Sequence, residues 1–199
     1  MEKKHGKLEL DLNWENIQDK TTIEYNTAYG LCSEVFLNKL KDYGCSWRIL
    51  RLPSLTDQIL IKTMRIRSIQ EKGVNKIGDS VIDELIGIAN YSVMALIQNK
   101  LGYVNEVKSI NSSDIIYQYS NTFHDVFDLM LKKNHDYGEA WRYMRVSSMV
   151  DLIYTKLLRI KEIEDNDGET IASEGVDGNY SDIVNYAIFS LILLNNEER

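Results

Sequence analysis

The chain repeats itself. Tyr43-Gly44 followed by Trp47-Arg48 returns as Tyr137-Gly138 followed by Trp141-Arg142, an offset of 94 residues (137 − 43). The match runs on, for Asp42, Arg51, Ser54, Asp57, Ile59, Lys62, Arg65 and Ile66 come back as Asp136, Arg145, Ser148, Asp151, Ile153, Lys156, Arg159 and Ile160. A single duplication of that size is domain-scale, unlike the ~20–50-residue period of solenoids, and predicts two like modules packed about a pseudo-twofold axis. It is also an internal control, because a polar residue kept at one place in both copies carries the same structural or chemical task twice.

A chain of 199 residues can build one substantial core, whereas half that length is marginal alone. One compact unit is therefore expected, with an N-terminal extension over 1–21, a first repeat over 22–104 and a second over 105–199. The net charge of −7 offers no lysine and arginine excess to displace counterions, so no general affinity for nucleic-acid backbone is expected. Cys32 and Cys45 occur in the first copy only and form no CxxC, which predicts free thiols instead of a disulfide or zinc site. No signal peptide or transmembrane run stands out, and a soluble cytoplasmic protein with no membrane partner is expected. The alternating stretch Leu8-Glu9-Leu10-Asp11-Leu12 in the extension carries no assigned role.

Each copy reads as three helices. The first runs over about 22–41, with Tyr25, Tyr29, Cys32, Phe36 and Leu40 at helical spacing, and returns over about 113–135 through Tyr119, Phe123, Val126 and Met130. Both copies close on Asp-Tyr-Gly, where glycine can take the left-handed conformation that stops a helix. The second helix is expected to begin at a capping box, Ser54 with Asp57 and again Ser148 with Asp151, just after Pro53. The third spans about 80–100, capped by Ser80 with Asp83, and about 179–195. Asn90-Tyr91 and Asn185-Tyr186 align at an offset of 95, so one residue is gained in the loop before the last helix. That acidic loop, 164–178, lacks a glycine at the sixth position of a calcium loop and is expected to be solvated.

On the second helix Lys62 lies in a stripe with Leu55, Ile59, Ile66 and Ile69, and Lys156 lies in the same stripe of the second copy. Burying an ammonium is costly unless an anion or good hydrogen-bond partners meet it. Arg65 and Arg159 add a second cation three residues on. The facing acids are Glu34 and Asp128 on the first helix, with Glu84 in one copy and Asp182 in the other on the third, at positions three apart. The bland reading is that both lysines snorkel to water. The sharper one is a hard-cation site, since Asp125 and Asp128 share a helix face and Asp182 would complete three carboxylates. The arginines of the Trp-Arg turns, Arg48 and Arg142, suit phosphate, while the tryptophans themselves are expected in the core. His124 and His135 are not repeated and receive no catalytic role.

The Asp-Tyr-Gly-x-x-Trp-Arg turn, the Lys-x-x-Arg-Ile helix and the closing Asn-Tyr helix, each in duplicate, resemble the nucleotide modification associated domain family. This domain of unknown function occurs in bacteria and phages, and the resemblance covers about residues 22–195. It implies a role in nucleotide metabolism or modification. More distantly, the arrangement is similar to the all-α MazG and dimeric dUTPase type of nucleoside triphosphate pyrophosphohydrolase. Those enzymes bind magnesium with Glu-x-x-Glu on one helix and Glu-x-x-Asp on another; here Asp125-x-x-Asp128 stands for the first pair, and the second is split between Glu84-x-x-Gly87 and Asn179-x-x-Asp182.

The resulting expectation is an all-α tandem duplication of a three-helix unit, compatible with further homodimerisation. Its expected activity is a magnesium-dependent hydrolysis of a nucleoside triphosphate. Asp125, Asp128 and Asp182 would hold the metal, with Glu34 and Glu84 as the first copy's acids. Lys156, Arg159 and Arg142 would neutralise phosphate, with Lys62, Arg65 and Arg48 as their counterparts. The rival is a non-catalytic binding or assembly module whose Lys–acid pairs fix helix register.

Overall fold

The computed structural model describes residues 20–73, 80–107, 110–137, 139–166 and 175–197. The N-terminal extension before Lys20 and the acidic loop over 167–174 lie outside them. Six helices follow one another: α1 (Lys20–Tyr43), α2 (Leu52–Lys72), α3 (Val81–Leu101), α4 (Ser112–Tyr137), α5 (Val146–Asp165) and α6 (Val176–Glu197). A single 3₁₀ turn, Ser46–Ile49, joins α1 to α2, and its equivalent Ala140–Tyr143 joins α4 to α5. The described residues contain no strand, so the protein is all-α and its three-helix unit occurs twice.

Local chemistry explains most of the boundaries. Gly44 takes φ +58° and its N–H closes on the Leu40 carbonyl at 2.9 Å, which stops α1 after Asp-Tyr. Gly73 ends α2 in the same left-handed way. Ser80 and Asp83 form the reciprocal capping box of α3, and the two hydrogen bonds from the Ser80 backbone and hydroxyl hold the Asp83 carboxyl below its usual range.

The other two capping boxes do not form. α2 starts at Leu52 behind Arg51, with Pro53 in its first turn, and α5 starts at Val146 behind Arg145; neither cap residue makes a side-chain cap hydrogen bond. Proline favours the first helical turn, where its missing N–H costs nothing, so the helix begins two residues before Ser54. Asp57 and Asp151 are thereby released for another task. Lys161 bonds Asp57 at 2.7 Å and Arg67 meets Asp151 at 3.3 Å. Arg67 and Lys161 are themselves equivalent positions, so these two bridges are one contact made twice, across antiparallel α2 and α5.

The same reciprocity recurs deeper. The Tyr25 hydroxyl donates to Asn185 Oδ1 at 3.0 Å, and the Tyr119 hydroxyl donates to Asn90 Oδ1 at 2.6 Å, each joining one half to the other. All four residues are buried. Tyr29 and Phe123, another equivalent pair, meet at 4.9 Å, flanked by Tyr25 on Phe127 and Phe36 stacked on Tyr119. These pairs place α1 antiparallel to α4, with the pseudo-twofold axis passing beside Tyr29 and Phe123.

The most extensive contact in the molecule is α3 against α6, and α2 and α5 complete the layer. Ile59, Ile66, Ile153 and Ile160 are wholly buried there. Each such side chain contributes about 1.5–3 kcal/mol by leaving water. α3 is long and apolar enough to cross a membrane by length and composition, but most of it is buried inside the molecule. Cys32 and Cys45 are free and buried, and burial pushes the Cys32 thiol far above its usual range.

Candidate functional site

Both stripe lysines turn inward onto the third helix of their own half. Lys62 Nζ lies 3.1 Å from Glu84 Oε2, and Arg65 takes the other oxygen of the same carboxylate, which is only 3 % exposed. In the second half Lys156 bonds Asp182 Oδ2 at 2.7 Å and Lys133, from α4, bonds Oδ1 at 2.6 Å. Each half therefore buries one carboxylate under two cations, from a position one helical turn apart. Glu84 is replaced by Asn179, whose side-chain amide turns back to the Gly175 carbonyl at 3.0 Å. Asp182 is replaced by Gly87, and that glycine is used: a Cβ there would stand 2.7 Å from Lys62 Cε.

These contacts do not bring the expected metal set together. Among the described residues no group of three His, Cys, Asp or Glu side chains is placed to hold a metal ion. Asp125 is exposed on α4, and half-exposed Asp128 sits 3.6 Å from His124 one turn earlier. Glu34 is exposed on α1. Glu84 and Asp182 already hold two cations each, so a divalent ion would have to displace ammonium or guanidinium groups and sit beside them. This donor set does not fit magnesium.

The arginines of the two turns are also committed. Arg48 is buried, donating to Gln98 Oε1 and to the Gly102 carbonyl at 2.7 Å, while Gln98 returns a hydrogen bond to the Arg48 carbonyl at 3.0 Å. Burial lowers its pKa, and the clasp ties the first 3₁₀ turn to the end of α3. Arg142 reaches the other half instead, bonding Glu24 Oε2 at 2.7 Å and its own Glu139 at 2.6 Å. Burial opposes its charge, but these carboxylate hydrogen bonds outweigh that and raise its pKa. Its guanidinium lies 4.4 Å over the Trp141 ring, and Phe189 stacks on that ring at 4.3 Å. The indole is thus core, as its place after the turn suggested. Arg159 bonds Glu162 at 3.0 Å on the helix surface, unlike its counterpart Arg65.

A concavity adjoins the Asp182 cluster of the second half. A cleft of about 360 Å³ opens in the second half between α4, the second 3₁₀ turn and α6. Met130, Trp141, Met144 and Phe189 make its apolar walls; Asn134, Asn185 and Tyr186 add polar groups. Lys133 and Asp182 line it together, and among the described residues they are the only Lys, Arg, His, Asp or Glu on its walls. Lys133 was not singled out from sequence, although Lys39 is its equivalent and the kept lysine was a usable signal. Tyr25, Tyr119 and the two asparagines carried the same signal.

A family model described as nucleotide modification associated domain 1 matches residues 39–99 and again 133–194. The two segments fall on the two three-helix units, and the second contains every wall of the cleft except Met130. No curated protein and no solved structure matches the chain, so the likeness to MazG-type enzymes finds no support there.

Proposed function

The chain belongs to the nucleotide modification associated domain 1 family, and from that premise we propose that it binds a nucleotide in the cleft of its second half. The observation that carries this reading is the meeting of an apolar, aromatic wall with the Lys133–Asp182 edge in one concavity. Ligand sites are mostly apolar with a few placed polar groups, and their volumes run from ~300 to ~1,000 Å³. Met130, Met144 and Phe189 offer a base an apolar slot, the amides of Asn134 and Asn185 offer donors and acceptors to its edge, and the ammonium of Lys133 offers a counter-charge to phosphate.

The buried Lys–acid clusters hold α2 and α5 in register on α3 and α6, which is the structural half of the rival reading. Magnesium-dependent hydrolysis would need acids that are not already neutralised, so binding is favoured over cleavage. The test is equilibrium dialysis of nucleotides against the whole chain, with and without magnesium, alongside an assay of pyrophosphate release. Saturable binding independent of magnesium is expected, weakened about tenfold by Lys133→Ala, a loss of ~1.4 kcal/mol. Pyrophosphate release that requires magnesium would restore the hydrolase; no binding at millimolar nucleotide would remove the cleft as a nucleotide site.

A further inference from the structure

Resting on the nucleotide reading of the cleft, we infer that the base it takes carries a keto oxygen, as guanine, hypoxanthine, thymine and uracil do, where adenine and cytosine carry an amino group. Asn185 makes the choice, and Tyr25 sets it from behind the wall.

Asn185 lines the cleft from α6 and is only 5 % exposed. Its Oδ1 accepts the hydrogen bond of the Tyr25 hydroxyl at 3.0 Å. Tyr25 is wholly buried, and among the described residues Asn185 is the only hydrogen-bond partner of that hydroxyl. A buried hydroxyl must donate its proton, so the amide oxygen is fixed toward α1 and the amide nitrogen, at the opposite corner of the planar group, is turned away from it. The equivalent residue of the first half has the same orientation: Asn90 Oδ1 accepts from Tyr119 at 2.6 Å while its Nδ2 donates to the Cys32 carbonyl at 3.0 Å. Asn185 departs from its twin at that last bond. Among the described residues its Nδ2 has no hydrogen-bond partner, and the carbonyl of Val126, the counterpart of Cys32, does not receive it. The cleft is the space left for that donor's partner.

The ligand's direction follows from the exposure of the two polar ends. Lys133 keeps 41 % of its side chain exposed, whereas Asn185 is closed in. A phosphate held by Lys133 stays at the mouth with its sugar, and the base points inward. The edge of the base furthest from the sugar then meets Asn185, and on that edge a purine carries its C6 substituent and a pyrimidine its C4 substituent.

An asparagine amide ordinarily matches adenine with both ends, its oxygen on the amino group and its nitrogen on the neighbouring ring nitrogen. Here Tyr25 has claimed the oxygen, and the cleft receives an N–H alone. Opposite a keto oxygen that N–H donates and is satisfied. Opposite an amino group two donors face each other, and both have lost water, which is the costly case for a buried polar group.

Calorimetric titration of the whole chain with the 5′-monophosphates of two matched pairs, hypoxanthine with adenine and uracil with cytosine, tests this. In at least one pair the keto member should bind about tenfold tighter, the discrimination expected when a buried donor is left unpaired by the wrong ligand. Asn185→Asp, which keeps an oxygen for Tyr25 and turns another to the cleft, should reverse the preference toward the amino member. Tyr25→Phe alters no residue of the wall and frees the amide to rotate, so it should narrow the ratio to about threefold or less, chiefly by strengthening the amino member. Circular dichroism follows the fold of both variants, and Tyr25→Phe carries the test if Asn185→Asp does not fold. Native ratios under about threefold in both pairs, a native preference for an amino member, or an unchanged ratio in folded Tyr25→Phe overturns the inference while leaving the cleft a nucleotide site. Absence of binding by all four compounds overturns the cleft reading itself.

Discussion

Gly87 and Asp182 occupy the same register on equivalent helices, and what differs between them is where the carboxylate stands relative to its lysine. With the acid at Glu84, the stem of Lys62 lies flat across Gly87; with the acid at Asp182, Lys156 meets it directly. The two exchanges, Glu84 for Asn179 and Gly87 for Asp182, are therefore coupled by sterics as well as by charge. Alanine normally stabilises a helix interior by ~1 kcal/mol over glycine. In the native chain Gly87→Ala should nevertheless lower stability, because the Lys62 stem must swing away and leave Glu84 to Arg65 alone. In a Lys62→Ala chain the same substitution should gain ~1 kcal/mol. Urea melts of the four proteins check this: additive effects would show that the glycine has no bearing on the lysine, whereas coupling of roughly 1–2 kcal/mol is expected.

At the scale of elements, α2 and α5 cross with Glu164 held in the crossing. Thr56 of α2 donates to Glu164 Oε1 at 2.7 Å, and the Tyr180 hydroxyl from α6 lies 2.7 Å from that of Thr56. Burial raises the Glu164 pKa above its ordinary 4.5, with the hydrogen bonds from Thr56 and Tyr180 opposing that only in part. A raised folded-state pKa means the folded chain favours the proton, so this group's stabilising contribution is present below pH 4.5 and is lost as pH rises through the folded pKa. Glu164→Gln keeps the accepting oxygen and removes the charge. It should raise Tm at pH 7, and the gain should fade as pH drops below 4.5. A gain that is constant with pH would show that packing, not charge, was responsible.

Much at this scale was legible. The helices, the Ser80 cap, the inward lysines and the alternation of the acid between two positions one turn apart all follow from periodicity and from the duplication. The starts of α2 and α5 were misread because a serine followed three residues later by an aspartate matches a capping box; the preference of Pro53 for the first turn moves the α2 boundary upstream, and α5, which has no proline, begins at the equivalent Val146. Asp57 and Asp151 then look local when they are long-range: their partners are more than 80 residues away, and no spacing rule reaches that far. The expected acids are not brought together for a related reason. Asp125 and Asp128 do share a helix with Lys133, but helical spacing says nothing about which face meets α6, and it is Lys133 that does so.

For the whole molecule, the Tyr–Asn hydrogen bonds and the α2–α5 bridges are each made twice about the axis, whereas Arg142 on Glu24 and Thr56 on Glu164 have no twin, since Arg48 turns to Gln98 and Val150 stands for Thr56. The buried Tyr–Asn hydrogen bonds contribute about 1 kcal/mol each, while the half-exposed Asp57–Lys161 and Asp151–Arg67 bridges contribute less and serve mainly to set register. A chain of residues 105–199 alone retains Tyr119, Asn185, Asp151 and Lys161, the complete self-complementary set. It should form a twofold homodimer in sedimentation equilibrium, with Tyr119→Phe weakening association through both copies of the lost bond. A folded monomer would contradict the arrangement.

Two identical subunits inherit every substitution in pairs, so a separate-chain ancestor could not have moved its carboxylate by a turn on one side alone. Joining the copies end to end removes that constraint. One module can then be tuned toward a ligand while its twin settles into the office of a rigid counterweight, and the stretch that strings α3 to α4 is what makes such a division of labour heritable.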